Sequence, residues 1–334
     1  MTLKIPEIAV PNFWLSNFGR VQNYLVHSVG LGNVHEVGTS SLGYPIKAVE
    51  YRQEGCPKLM VIGGTHGHEP GTVATAINVI HLLESGIDLA GQPHSDLLER
   101  LLGVHLYIVP CLNPDGRSVC PDTFYAQGID TVTIYASGLQ KDGSLIPYDS
   151  NSKEPLYYFD PADAMFMGGQ FNGAGYAINR RRSIEESDAV EVQSLLDFVK
   201  PLGIDAIMDL HACGYNFAFQ VKSHEPPYWP IMREWQRRAT ALFQSKGRRL
   251  GGLHGDGDPP EPQPFHFNAA LFHRQAQLMW MSYEGRQGYL GRTSFIPLPS
   301  EWEIIDDYLS AVSVFLELGI ERHYAEANRQ VFSS

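Results

Sequence analysis

The sequence predicts an α/β fold with a mostly parallel, mixed central sheet flanked by helices. Three observations carry this: short apolar runs that stop at glycine or proline, segments of helical period between them, and the alternation of the two along the chain. Residues 46–51 alternate apolar and polar, 59–62 form an apolar run stopped by Gly63 and Gly64, and 104–109 repeats the pattern before Pro110. These read as three strands. Between the last two, 72–83 sets Val73, Ala76, Ile77, Ile80 and Leu83 at helical spacing, which predicts a helix joining them. The second half repeats the scheme with a helix over 186–199, strands over 204–210 and 215–221, a helix over 228–246, a strand over 278–283 and a closing helix over 302–318. No fixed-period repeat occurs, which excludes a solenoid.

Two stretches lack period. Residues 118–177 are rich in Gly, Asp, Ser and Tyr, and 251–264 in Gly, Asp and Pro. The first is far longer than an ordinary connection, and its many aromatic residues favour an ordered loop over an active site. The organisation expected is one catalytic domain over 1–334 with an insertion at about 118–177.

Composition excludes several classes. The formal charge is -12 with only 25 Lys and Arg, too little basic surface for a phosphate backbone, so nucleic acid is excluded as a partner. No segment is apolar enough to span a bilayer and the first residues do not form a signal segment, so a cytoplasmic protein without a membrane partner is expected. Four cysteines, Cys56, Cys111, Cys120 and Cys213, lack paired CxxC spacing and read as reduced thiols, with Cys213 packed and inert.

The chemistry concentrates in Gly63-Gly64-Thr65-His66-Gly67-His68-Glu69-Pro70-Gly71, where a predicted strand ends and a helix begins. Ligands of α/β sheets bind at the carboxyl ends of strands. His66 and Glu69, separated by two residues in a glycine-tightened turn, can converge on one ion, and a catalytic zinc needs a third protein donor with one position left open. His211, at the end of the 204–210 strand, supplies it, with Asp209 available to buttress the imidazole. Glu284, ending another apolar strand, is the candidate general base, where desolvation would raise its pKa toward the working range. A lone histidine is more often structural than a ligand, and a lone strand-end Glu more often faces solvent; three strand ends each offering the needed group argue for the site. His68 is assigned to the surroundings of the site or to the surface. HExxH, GxSxG and GxxxxGK[ST] are all absent.

These residues resemble the zinc metallocarboxypeptidases, the carboxypeptidase A-like peptidases, over roughly 46–318. The family's HxxE pair is similar to His66 and Glu69, and its NPDG turn matches Asn113-Pro114-Asp115-Gly116. Its Asn-Arg pair resembles Asn179-Arg180, its third histidine His211, and its catalytic glutamate Glu284, in the same order. The resemblance implies a carboxypeptidase-like (zinc exopeptidase) fold and one zinc ion per chain. It also implies a peptide or small amide substrate whose free carboxylate is gripped by Asn179 and Arg180. It gives Arg117, the only arginine between the NPDG turn and Asn179-Arg180, the role of polarising the scissile carbonyl. Departures are Ala177-Ile178 where the family often has Asp-Leu, the additional Arg181 and Arg182, and the lack of a substrate-capping tyrosine in 251–264.

Two alternatives stand beside this reading. A zinc amidohydrolase resembling aspartoacylase and succinylglutamate desuccinylase would deacylate N-acyl amino acids, and Asp209 to His211 suits that branch. A non-catalytic peptide-binding protein on the same fold has no use for Glu284.

Overall fold

The structure is a computed structural model that describes residues 8–148, 156–183, 185–214, 218–221, 225–248, 268–290 and 298–333. Helix α1 (Phe18–His27) precedes strands β1 (Asn33–Thr39), β2 (Pro45–Tyr51) and β3 (Lys58–Ile62). Helices α2 (Pro70–Ser85) and α3 (Ser95–Leu102) lead to β4 (His105–Val109). The long segment that follows holds α4 (Pro114–Ser118), α5 (Ile129–Ser137) and a hairpin of β5 (Gly138–Gln140) with β6 (Ala164–Met167). Next come α6 (Val190–Val199), β7 (Ala206–Gly214), β8 (Ala218–Val221), α7 (Trp229–Ser245), α8 (Asn268–Ala276) and β9 (Met279–Arg286), and α9 (Glu301–Ile320) and α10 (His323–Phe332) close the order.

Seven strands form one mixed sheet in the order β1-β2-β4-β3-β7-β9-β8. The inner strands β4, β3, β7 and β9 run parallel, while β1, β2 and β8 add antiparallel margins. Both faces are buried, as parallel strands require. Period-two alternation sends Leu59, Val61, Met208, Leu210, Met281 and Tyr283 to one core, under α2, α7 and α9. Met60, Ile62, Ile207 and Trp280 go to the other, under α6 and α8. Helix α2 is buried on almost every side, which explains why its sequence is apolar all round. It starts with Pro70 and stops where Gly86 adopts φ +79°, a left-handed turn that favours glycine. Helix α9 starts in a reciprocal capping box between Ser300 and Glu303.

Several expectations shift. The helix read over 186–199 starts only at Val190, and the strand read over 215–221 is described from Ala218, with 215–217 outside the described residues. The 118–177 stretch carries its own helix and hairpin, apart from 149–155, which also lie outside. The 251–264 stretch and the Cys213 side chain lie outside as well; Cys56, Cys111 and Cys120 are free thiols. Among the described residues no helix is long and apolar enough to cross a membrane.

Candidate metal centre and active site

Strand β3 ends at Ile62, and the next nine residues are folded by close backbone contacts. Gly63 N–H donates to Val109 O (2.8 Å), and Gly64, at φ +62°, lets the chain turn so that its carbonyl accepts from Asn113 N–H (2.9 Å). Gly67 is required by proximity: a Cβ there would lie 2.0 Å from the carbonyl carbon of Gly116. The loop is thus pressed against the Asn113-Pro114-Asp115-Gly116 turn. That turn in turn holds the insertion, because Asn113 Nδ2 donates to Gly169 O (3.2 Å) and Phe171 O (3.1 Å). Gly169 O accepts from Gly67 N–H (2.8 Å), which closes the circuit.

Glu69 occupies the N-cap position of α2, where the helix dipole favours an anion, but its carboxylate caps no backbone amide. Thr72 does the local work instead, donating its hydroxyl to Glu69 O (2.7 Å) and accepting from Gly64 N–H (2.9 Å). The carboxylate therefore faces the two imidazoles. His66 Nδ1 lies 3.0 Å from Glu69 Oε1, His211 Nδ1 lies 3.3 Å from Glu69 Oε2, and the two Nδ1 atoms are 3.2 Å apart. Donors about 2.0–2.1 Å from one tetrahedral zinc sit about 3.3 Å from each other; the two Nδ1 atoms and the Glu69 carboxylate, which meets one imidazole with each oxygen, are close enough to share one ion.

The surroundings fix which atoms face the ion. Asp209, fully buried, holds His211 Nε2 at 2.7 Å and accepts the Thr65 hydroxyl at 2.6 Å. With its proton on Nε2, His211 turns the Nδ1 lone pair inward. Glu69 Oε2 has no hydrogen bond of good geometry although it is sealed from solvent. A cation between the three side chains would satisfy it. Burial works against the charge on Glu69, yet His66 and His211 hold its carboxyl well below the usual range. Burial likewise opposes a charged His211, but Asp209 and Glu69 raise its pKa well above the ordinary value. This electrostatic well suits a dication. His66, Glu69 and His211 form the one such donor group found among the described residues.

Glu284 stands on β9 in register with His211 on the neighbouring parallel strand, half-buried. Paired positions in adjacent strands share a face about 4.8 Å apart, so this carboxylate emerges beside the metal ligand. Tyr308 OH from α9 donates to His211 O (2.8 Å) and passes Gly285, where a Cβ would meet its ring at 2.3 Å. Nothing in the sequence pattern identifies Tyr308 as a support of the site, since it reads as one more core aromatic of α9.

Asn179 and Arg180 are buried and follow Ile178, whose N–H bonds Gln170 O (3.0 Å) next to the Gly169 that touches the ligand loop. Arg180 Nη1 donates to Asn179 O (2.8 Å), and its guanidinium lies over the Tyr148 ring at 5.7 Å. Arg117, expected as the carbonyl-polarising group, lies against the ligand loop. It is 2% exposed, with Nη1 on Gly67 O (2.5 Å) and Nη2 on the carbonyls of Cys120 and Pro121. Both Nη groups are committed to backbone, so the guanidinium anchors the ligand loop. His68 is sealed beside the ligands, and burial pushes its pKa down to about 3 against the opposing pull of Glu69, leaving it neutral.

A His-Glu-His centre at the carboxyl edge of a mixed sheet, with a further carboxylate on the next strand, defines a zinc-dependent hydrolase. The particular kind follows from comparison: the zinc carboxypeptidase family model matches residues 30–249, and the chain belongs to that family. Solved structures agree in fold. A metallo-carboxypeptidase from Burkholderia cenocepacia is 16% identical, with TM-score 0.57 over 90% of this chain and 68% of its own. One from Pseudomonas aeruginosa, in complex with (2-guanidinoethylmercapto)succinic acid, is 17% identical, with TM-score 0.55 over 90% and 68%. Bovine thrombin-activatable fibrinolysis inhibitor is 14% identical, with TM-score 0.54 over 91% and 96%. No curated protein sequence matches the chain.

Proposed function

We propose that the protein hydrolyses an amide bond next to a free carboxylate in a peptide or small peptide-like substrate. The observation that supports this most is the placement of Glu284 in register with His211, one strand from the donor triad. His66, Glu69 and His211 would hold the zinc ion, which when bound would supply a Lewis acid for the scissile carbonyl and for the attacking water. Glu284 takes a proton from the attacking water and delivers it to the departing amine, so one water adds across the C–N bond and the carboxylate returns to its starting state. Asn179 and Arg180 hold the substrate's carboxylate, a guanidinium giving two parallel charge-assisted hydrogen bonds. Asp209 keeps His211 in the required tautomer, and Arg117, through Gly67, keeps the ligand loop in place.

The test is Glu284→Gln. It should lower kcat by at least about 10³-fold, the upper range for loss of a general base, while zinc content measured by atomic emission stays at one per chain. A zinc-loaded variant with parental turnover removes Glu284 from the mechanism. Running benzoyl-glycyl peptides beside N-acetyl amino acids separates peptide hydrolysis from deacylation.

A further inference from the structure

Three arginines follow Asn179, and the structure treats them differently. Arg182 is exposed and lies over the Tyr157 ring at 5.8 Å. Arg180 is buried as described. Arg181 is 1% exposed, and only its Nη1 has a partner, Asn268 Oδ1 at 2.9 Å. Asn268, the first residue of α8 and fully buried, is aimed by its own bond from Nδ2 to Ile178 O (3.1 Å). The remaining donors of Arg181, Nε and Nη2, are sealed from solvent without a hydrogen-bond partner. No carboxylate pairs with this guanidinium among the described residues. Burial first, and then the charge of Arg180, push its pKa well down.

A buried, unpaired cation next to a like charge is costly, and an apolar side chain of similar volume would serve packing better. What the arginine adds is geometry. Nε and Nη2 lie along one edge of the guanidinium, the edge that receives both oxygens of a carboxylate side-on. Arg181 thus presents a complete bidentate fork, one residue from the arginine that takes the substrate's terminal carboxylate.

We infer that Arg181 binds a second carboxylate of the substrate, so that the enzyme selects amides of an acidic amino acid such as glutamate. This rests on the proposed hydrolytic reading, in which Arg180 holds the first carboxylate. The sealed edge keeps competing water from the fork. Peptides ending in glutamate and N-acylglutamates share this chemistry.

The experiment uses the zinc-loaded full chain. Benzoyl-glycyl-glutamate and benzoyl-glycyl-glutamine differ only in the charged group, and N-acetylglutamate tests the deacylation source. The parent should favour the glutamate peptide or N-acetylglutamate over its glutamine counterpart by about 100-fold or more in kcat/KM, as expected where a built polar site loses its partner. Arg181→Met should cut that ratio at least tenfold. In parallel, glutarate should raise the melting temperature of the parent more than butyrate does, and this difference should vanish in Arg181→Met. Should the methionine variant fail to fold, Arg181→Lys keeps the charge without the fork and must show the same loss. An unchanged acid-to-amide ratio, or an unchanged glutarate effect in the variant, overturns the assignment. If the parent cleaves none of these amides while glutarate stabilises it through Arg181, the hydrolytic reading fails and the Arg181 site stands.

Discussion

Asp209→Asn tests the geometry of the metal centre without removing a ligand. In the parent, one carboxylate oxygen holds His211 Nε2 at 2.7 Å and the other takes the Thr65 hydroxyl at 2.6 Å, all out of solvent. An amide offers one acceptor and one donor. With its oxygen toward His211, the Thr65 hydroxyl must turn to accept; with its NH₂ toward His211, the imidazole proton moves to Nδ1 and the inward lone pair is lost. Either way the negative charge behind the ligand disappears. Loss of such a partner weakens metal binding by about 10–100-fold, equivalent to about 1.4–2.7 kcal/mol. The assay is competition between the metal-free protein and a chromophoric chelator of known zinc affinity. The pH dependence adds a second check. Because Asp209 and Glu69 raise the His211 pKa, zinc competes with a proton there, and parental affinity should rise with pH. Without Asp209 the proton is held less tightly, so the deficit of the variant should be largest at alkaline pH and shrink toward acid. A zinc affinity within twofold of the parent at pH 8 would refute the role of Asp209.

Glu84 accepts from the N–H groups of Gly30, Leu31 and Gly32 and from Tyr51 OH. Although burial opposes its charge, these bonds hold its pKa below the usual value, so its stabilisation is present at neutral pH and is lost as pH falls through the folded-state value. Glu84→Gln should therefore cost about 2 kcal/mol at pH 7 and progressively less as pH falls below the ordinary carboxylate value in urea titrations. Asp307, fully buried between Arg286 and Arg248, should cost about 3–5 kcal/mol when changed to Asn, since a buried ion pair loses its anion. Denaturation midpoints measure this, and a change under 1 kcal/mol would contradict it. Gly67→Ala forces the ligand loop off the Gly116 backbone and should yield protein with reduced zinc content; full occupancy would show that the contact is slack.

The inner sheet and the donor residues are legible because they are written in local pattern. Apolar runs ending in Gly63-Gly64 or Pro110 mark β3 and β4, and His66, Glu69 and His211 sit where such runs stop. Strand β1 is illegible for the opposite reason: at the sheet margin it buries only Val37, so no alternation is required of it. Helix α3 has eight residues and buries only Leu97 and Leu101, too short a stripe to stand out. Order along the chain does not reveal that both Nη groups of Arg117 bond backbone carbonyls, an arrangement set by how the insertion folds onto the ligand loop. The partnership of Asp209 with His211 is readable, since residues two apart on a strand share a face. The support from Tyr308 is not, because it depends on how a distant helix crosses β9.

The two imidazoles that face each other at 3.2 Å are 145 positions apart in the chain, one in the loop after β3 and one on β7, and they meet only when β3 and β7 pair. During synthesis the growing polypeptide therefore has no complete binding pocket until β7 has left the ribosome. Tight zinc binding is thus a late event, and a truncated product ending before His211 would offer only His66 and Glu69 and should hold the ion more weakly.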